Sequence, residues 1–321
     1  MCRVLGYLGP SIALEELLTK PKNSLVNQSF DAEYHHLLQL AGSGIAAWNR
    51  NSPHESEPLI YKSCQPTFYD RNLAAICRNV RTDNLLAHIR AASYSEQASI
   101  HDENCHPFLY PGFKLALAHN GGLPGWRAML KDIIAECKPE VVAHLSGSTD
   151  TEPLYCLLMS QYDDPSRDMD ADEIIAGLRQ FMQVVLDIKR RHNNTKIAKL
   201  KFFLADGNDL VVANMGLGPD YATEIDASWD DLRGSKPGTP EFALAGVLEP
   251  LWYLAGDDYA KYEGTYDMKV ADGGKASTII VASEHLTEDP SSWTRVPFQH
   301  VAYFERRDGQ CSVRMEPLQL S

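Results

Sequence analysis

Apolar residues run through this chain in short blocks, and two spacings recur. Val4-Leu5-Gly6-Tyr7 is apolar almost from the first residue and predicts an opening strand. Ile12 to Leu18 has the spacing of a short helix, and Pro21 to Ser29 is a polar loop. Gly42 to Trp48 reads as a turn into a small-residue strand. Asn49 to Pro58 is rich in turn formers and predicts a hairpin tip, with Leu59-Ile60-Tyr61 as the return. Leu73, Ile76, Cys77 and Val80 recur at helical spacing after Asp70, a residue suited to capping a helix N-terminus. Asn84 to Ala92 is a buried strand that carries Arg90 near its end, and an arginine closing an apolar strand needs a partner. Lys114 to Asn120 predicts another strand, stopped by Gly121-Gly122.

Helices dominate the middle of the chain. Trp126 to Cys137 is helical, and Pro153 suits the first turn of a helix that continues through Leu154 to Met159. Asp172 to Arg191 predicts a long amphipathic helix with acids at its start and Lys189, Arg190 and Arg191 at its end, matching the helix dipole. Ile197 to Ala205 and Leu210 to Ala213 read as strands joined by Asp206-Gly207-Asn208-Asp209, a hairpin signal. Residues 218–274 alternate Pro, Gly and acids with aromatic residues and are taken as an insertion within a single domain spanning 2–321. Thr278 to Ala282, His300 to Glu305 and Cys311 to Met315 resume the sheet. Strands thus group at both ends with long helices between, which favours an α+β fold of two antiparallel sheets covered by helices over an alternating βαβ fold.

Composition narrows the function classes. The formal net charge of −13 argues against a nucleic-acid or anionic-membrane partner, since both need a basic face. No apolar run is long enough for a membrane span, and the N-terminus lacks the features of a signal peptide, so a cytoplasmic protein is expected. The Asn-x-Ser/Thr matches at Asn27 and Asn193 are then not glycosylated. Seven scattered cysteines without a CxxC pair read as reduced thiols, and Cys105-His106 lacks companion ligands, so neither a metal nor a cofactor is expected. Neither GxGxxG, GxxxxGK[ST] nor GxSxG occurs, which removes support for nucleotide binding and for the serine-hydrolase elbow.

The candidate chemistry begins at Cys2. Loss of Met1, which a small side chain at position 2 permits, would leave a thiol nucleophile beside its own α-amine. That amine can take the thiol proton, so no separate histidine is needed. Four further stretches follow in order: His88-Ile89-Arg90-Ala91-Ala92-Ser93, Asn104-Cys105-His106-Pro107-Phe108, His119-Asn120-Gly121-Gly122 and Ser148-Thr149-Asp150-Thr151-Glu152. Together they resemble the class II glutamine amidotransferases, N-terminal-nucleophile hydrolases that cleave the side-chain amide of glutamine. The resemblance covers about residues 2–215. It resumes at Val281-Ala282-Ser283-Glu284-His285-Leu286-Thr287 with Trp293, where it looks like the stand-alone branch that includes γ-glutamyl hydrolases of ergothioneine synthesis and glutathione breakdown.

The resemblance implies a four-layer αββα sandwich and a role for each residue. Cys2 would attack the δ-amide carbonyl to give a γ-glutamyl thioester. Asn120, by its side-chain amide, and Gly121, by its backbone N–H, would form the oxyanion hole. Arg90 would clamp the substrate α-carboxylate and Asp150 would bind the α-ammonium. Ser93 matches a hydroxyl near the carboxylate, and Asn104 and His106 match a loop that shapes the pocket. Taken singly, each has a plainer reading: a structurally paired arginine at Arg90, a turn at Asn120-Gly121, a helix cap at Asp150, and structural hydrogen-bonders at His88, His106 and His119.

The sequence also departs from the family. Ala41-Gly42-Ser43-Gly44 stands where the branch usually has Asp-Gly-Trp-Gly, which would alter a wall close to the nucleophile, and His285 stands where proline is more usual. The expected partner is a small γ-glutamyl substrate, either glutamine or a larger compound. Alternatives are a glutaminase subunit that feeds ammonia to a separate synthase subunit and a non-catalytic interaction module with the same fold.

Overall fold

The computed structural model describes residues 2–32, 38–92, 100–218, 228–236, 238–269 and 276–320. Ser93 lies outside the described residues. The opening strand β1 (Arg3–Ala13) is longer than its apolar block suggests. Ile12 and Ala13, expected to be helical, pair with Thr82 and Arg81 beyond a register shift that follows Leu8. Only Glu15–Leu18 forms the helix α1. The hairpin β2 (Ser43–Trp48) and β3 (Leu59–Ser63) follows. Next come α2 (Arg71–Asn79), β4 (Arg81–Ile89) and β5 (Ala116–Gly122). Asp70 caps α2 as its chemistry predicts, accepting the N–H groups of Asn72 and Leu73.

The central helices are α3 (Trp126–Ala135), α4 (Pro139–Val142), α5 (Thr151–Met159) and α6 (Ala171–Arg191). A capping box of Asp170 and Glu173 starts α6. The hairpin β6 (Ala198–Ala205) and β7 (Asp209–Leu217) turns at Gly207, whose φ of +95° suits glycine. There the Asp206 carboxylate accepts the N–H groups of Asn208 and Asp209.

The chain then forms α7 (Trp229–Leu232), α8 (Pro240–Leu248), β8 (Leu251–Gly256), β9 (Asp258–Tyr262) and β10 (Thr265–Lys269). It closes with β11 (Thr278–Ala282), β12 (Thr294–Val296), β13 (His300–Arg307) and β14 (Gln310–Pro317).

The strands form a seven-stranded sheet in the order β12-β8-β11-β1-β4-β2-β3 and a five-stranded sheet in the order β14-β13-β7-β6-β5, with β9 and β10 as a separate hairpin. Every ladder is antiparallel. The segment 218–274 is therefore no simple appendage. Its strand β8 sits inside the larger sheet between β11 and β12, and its helix α8 packs on β6.

Period-2 alternation sorts each strand between two layers of core. Val4 and Leu8 of β1 join Leu86, Ala116, Ala118, Phe203 and Phe304 in the layer between the sheets. Leu5 and Tyr7 turn instead toward α1, α2 and the β9–β10 hairpin. On the far side, Leu200, Phe202, Val211 and Ala213 pack under α3, α5 and α6. The result is an α+β sandwich of four layers, helices outside and two antiparallel sheets within.

Candidate active site

The layer between the sheets is apolar along most of its length and turns polar at one end. The N-terminal ends of β1 and β6 and the C-terminal ends of β4 and β5 meet there, because each is antiparallel to its neighbour. Stepping outward by two from Val4, Leu86, Ala118 and Phe203 gives Cys2, His88, Asn120 and Lys201, then Lys199. Alternation thus delivers reactive or polar side chains from all four strands to the same edge.

A cavity of about 950 Å³ opens at this edge. Cys2, Asn120, Gly121, Asp150 and Lys199 line it, with Ala91, Ala92, Leu123 and the α8 residues Phe242, Ala243, Gly246 and Val247. Cys2 is partly exposed, and its Sγ accepts the Ala91 N–H at 3.4 Å. The strand behind it is tied down on all sides. Val4 N–H donates to Ser283 Oγ at 3.1 Å, and Ser283 N–H returns a bond to the Val4 carbonyl at 3.0 Å. Arg3 forms a fully buried ion pair with Glu284 at 3.0 Å and donates to the Cys2 carbonyl at 3.3 Å. Asn23 reaches the same loop, donating to the His285 carbonyl at 2.5 Å. The late Val281–Thr287 motif is thus the buttress of the first residues.

Asn120 is buried, and among the described residues neither its amide nitrogen nor its amide oxygen has a hydrogen-bond partner. An unpaired buried amide costs about 1–3 kcal/mol, and this one lies at the cavity wall. Gly121 has no room for a side chain: a Cβ there would lie 1.9 Å from the Lys199 carbonyl oxygen. Glycine lets β5 approach β6 closely and leaves the backbone beside Asn120 open to the cavity.

Asp150 stands at the N-cap of α5 but makes no capping bond with its side chain. Its carboxylate accepts the Leu123 N–H at 2.7 Å instead, which turns it toward the cavity and away from the plain capping role. The loop before it is held from below. Glu152 accepts the N–H groups of Ser146 and Gly147, and Asn104 both accepts from Ser148 N–H at 2.8 Å and donates to its hydroxyl at 3.1 Å.

Asn104 and His106, expected to shape the pocket, stand behind its wall and are not among the residues that line it. His106 Nδ1 accepts the His119 N–H at 3.2 Å, and its ring lies 4.1 Å from that of His88. His119 in turn bonds Thr151 Oγ1 and the Lys199 carbonyl, each at 3.0 Å. Since a carbonyl only accepts, Nε2 carries the proton and Nδ1 accepts from the threonine hydroxyl. Burial pushes His88 down to about 3, holds His106 well below the ordinary histidine value and lowers His119 as well. All three imidazoles are neutral structural groups at neutral pH.

Arg90 is buried and is likewise absent from the cavity lining. Its backbone pairs with Gly42 and Ala41, and its charge disfavours protonation of His88 and His106. The unusual Ala41–Gly44 turn therefore braces the Arg90 backbone and is not part of the described cavity wall. A Cβ on Gly42, whose φ is +103°, would fall 2.5 Å from the Ser63 carbonyl. His285 is set between Trp252 and Trp293, with ring centroids at 4.2 and 5.3 Å, and burial pushes it down to about 4.

Sequence reasoning missed the far wall. Lys199 and Lys201 alternate with Ala198, Leu200 and Phe202, a pattern that reads as a solvated strand face, yet both lysines are buried. Lys199 Nζ pairs with Glu249 at 3.0 Å, and Lys201 Nζ donates to the Glu249 carbonyl and to that of Gly246 at 3.5 Å. Burial and the neighbouring Lys199 hold Lys201 well below its ordinary value. The only available signal was the charge alternation itself, which has no meaning until α8 is known to cover it.

Among the described residues, no helix is long and apolar enough to cross a membrane, and no cluster of His, Cys, Asp or Glu could hold a metal ion. The family model for class II glutamine amidotransferases matches residues 32–216, a span that contains Asn120, Gly121 and Asp150 but begins after Cys2. The probable glutamine amidotransferase DUG3 of Saccharomyces cerevisiae is 28% identical over 326 residues, covering 96% of this chain and 82% of the yeast protein. Two solved structures share the fold. A glutamine aminotransferase class-II domain protein from Silicibacter pomeroyi has a TM-score of 0.56 at 19% identity, with 98% of each chain covered. The glutamine phosphoribosylpyrophosphate amidotransferase of B. subtilis has a TM-score of 0.54 at 15% identity, with all of this chain and 50% of that one covered. The chain belongs to the class II glutamine amidotransferases, enzymes that act on the carbon–nitrogen bond of glutamine's side-chain amide.

Proposed function

We propose that this chain hydrolyses a γ-glutamyl amide, with Cys2 as the N-terminal nucleophile after loss of Met1, by way of a γ-glutamyl thioester. One observation carries the reading. Cys2 Sγ, the unpartnered Asn120 amide, the Gly121 backbone and the Asp150 carboxylate converge on a single cavity.

The proton acceptor is the α-amine of Cys2, because no imidazole is among the described residues that line the cavity. Its reference pKa of about 7.7–8.0 lies close to that of a free thiol, so exchange near neutral pH costs little. As the amine takes the thiol proton, Sγ attacks the amide carbonyl carbon. The oxyanion is met by Asn120 Nδ2 and the Gly121 N–H, donors that need no reorganisation because among the described residues nothing else engages the asparagine side chain. The C–N bond then breaks, the α-ammonium returns its proton to the leaving amine, and the thioester remains. Water, deprotonated by the same amine, attacks the thioester, and the departing thiolate regains a proton. Asp150 binds the substrate's α-ammonium and selects an amino-acid end over a simple acyl group.

Replacing Cys2 with Ala should abolish glutamate release from γ-glutamyl compounds, and the intact mass of the active protein should lack one methionine. Unchanged turnover in the variant would sink the reading. Full retention of Met1 in an active preparation would remove the α-amine as base.

A further inference from the structure

We propose that Cys137 and Cys156 form a redox-active pair, closed by a peroxide into a disulfide that pins the end of α3 to α5 and opened again by a small thiol. The pair lies outside the cavity, and it stands or falls independently of the γ-glutamyl reading.

Helices α3 and α5 pack on one another, and the two cysteines meet where the chain leaves α3. Cys137 follows the last turn of that helix, and its Sγ donates to the Ile133 carbonyl at 3.2 Å. Cys156 belongs to α5 and is buried in the same core layer as Ile133. Its thiol hydrogen-bonds Cys137 Sγ. Contacts that do not involve sulfur hold the same two segments together. The Ser160 hydroxyl donates to the Cys156 carbonyl at 2.8 Å and accepts the Lys138 N–H at 2.9 Å. One hydroxyl thus bridges Cys156 and the residue after Cys137. Closing the bond requires only that the sulfurs pass from hydrogen-bond contact to a separation of about 2 Å. All of these residues fall within 100–218, which is described without interruption. The disulfide braces α5, the helix that has Asp150 at its N-cap.

The two thiols differ in a way that suits the reaction. Cys137 is partly exposed, whereas Cys156 is buried. The hydrogen bond from Cys156 holds the Cys137 thiol below its ordinary value, with the Ser160 hydroxyl adding to the effect and burial opposing it. The same bond, together with burial, pushes Cys156 up. Burial pushes Cys64, Cys77, Cys105 and Cys311 up as well, so none of them shares the character of Cys137. A thiolate within reach of solvent is the form that attacks a peroxide. Cys137 Sγ attacks one peroxide oxygen, the O–O bond breaks, and the departing hydroxide leaves as water with the Cys137 proton. The sulfenic acid so formed sits against Cys156, whose sulfur displaces the hydroxyl, which leaves as a second water with the Cys156 proton. Two thiols lose two electrons, and the peroxide gains them.

The test treats the reduced, folded chain with increasing hydrogen peroxide, then unfolds it in iodoacetamide and digests it with trypsin for mass spectrometry. Lys138 precedes Pro139, a bond trypsin does not cut, so both cysteines stay on one peptide, residues 132–167, with no third cysteine. That peptide should appear two hydrogens lighter and unalkylated, and should return to the doubly alkylated form when dithiothreitol precedes the iodoacetamide. Cys156→Ser should leave Cys137 as a sulfenic acid that dimedone traps, and Cys137→Ser should leave Cys156 reduced. The wild-type peptide decides the matter even if a variant fails to fold. A 132–167 peptide that stays doubly alkylated through a large excess of peroxide overturns the proposal. So does Cys137 oxidised alone, or joined to any thiol other than Cys156.

Discussion

Mild acid should unfold this protein through its buried histidines, and the size of the effect can be worked from one of them. An unfolded chain holds a histidine with a pKa near 6.5, whereas burial pushes His88 down to about 3 in the native state. The depressed value means the native state resists a proton that the unfolded state accepts. The stabilisation is therefore present above about pH 6.5 and is lost as pH falls from there toward 3. At pH 5 the unfolded histidine is almost fully protonated and native His88 is not, which costs about 2 kcal/mol relative to pH 7.5. His106 and His119 act in the same direction, as does His285, pushed down to about 4. Arg90 beside His88, and both Arg90 and Lys62 beside His106, reinforce the resistance to protonation, while Asp150 opposes it at His119. Against a total stability of about 5–15 kcal/mol for an ordinary protein, losses of this size are decisive.

Urea unfolding followed at pH 7.5 and pH 5.0 measures the effect. The depressed carboxylates, such as Glu173 at about 2, pass through their transitions below this window, whereas Asp206, pushed up to about 6 by burial, titrates within it and offsets part of the loss equally in wild type and variant. His88→Phe removes one titrating group, and its drop in unfolding free energy between the two pH values should be about 2 kcal/mol smaller than the wild-type drop. The comparison is internal to each protein, so any packing change made by the phenylalanine cancels. Equal drops in variant and wild type would refute the reasoning.

Other outcomes follow from single contacts. Asn120→Ala should lower kcat about 10²–10³-fold with little change in thermal midpoint, because it removes the proposed oxyanion donor, which has no partner among the described residues; steady-state kinetics beside a melting curve checks both halves. Gly121→Ala would drive a Cβ to 1.9 Å from the Lys199 carbonyl, so β5 must move away from β6, and activity and stability should fall together. Glu249→Gln should destabilise by about 3–5 kcal/mol by leaving buried Lys199 without its carboxylate. The paired change Lys199→Met with Glu249→Leu should restore most of that loss in the same denaturation assay.

Much of the fold could be read from the chain because its signals were local. The Asp70 cap, the Asp206–Asp209 turn and the charge gradient of α6 each need only neighbouring residues, and each appears where it was expected. Signals that depend on distant partners were opaque. Ile12 and Ala13 have helical spacing but are claimed by β4, and the alternating lysines of β6 are buried because a helix from residues 240–248 lies over them. Cys2, Asn120, Gly121 and Asp150, expected together from their fixed order along the chain, line a single cavity. Arg90, Asn104 and His106 belong to the same pattern but are not among the described residues that line the cavity.

That division has a physical source in the position of Cys2, the proposed nucleophile. A chain terminus ordinarily frays, and catalysis needs Sγ held within a fraction of an ångström of its oxyanion donors. Here β1 is an inner strand of the larger sheet, flanked by β4 and β11, so residues 5 to 8 are paired on both edges and Arg3 and Val4 are paired with β4. The tie continues beyond the ladder through Ser283 on the Val4 backbone and Glu284 on Arg3, two residues contributed from nearly the other end of the chain. The sequence motif at Val281–Thr287 contains no cavity residue, and its burial shows why it accompanies one. An N-terminal nucleophile can be rigid only if something far away in sequence closes over its first residues. The fully buried Arg3–Glu284 pair belongs to the same tie: its mutual attraction at 3.0 Å works against the desolvation cost, and Arg3 also donates to the Cys2 carbonyl.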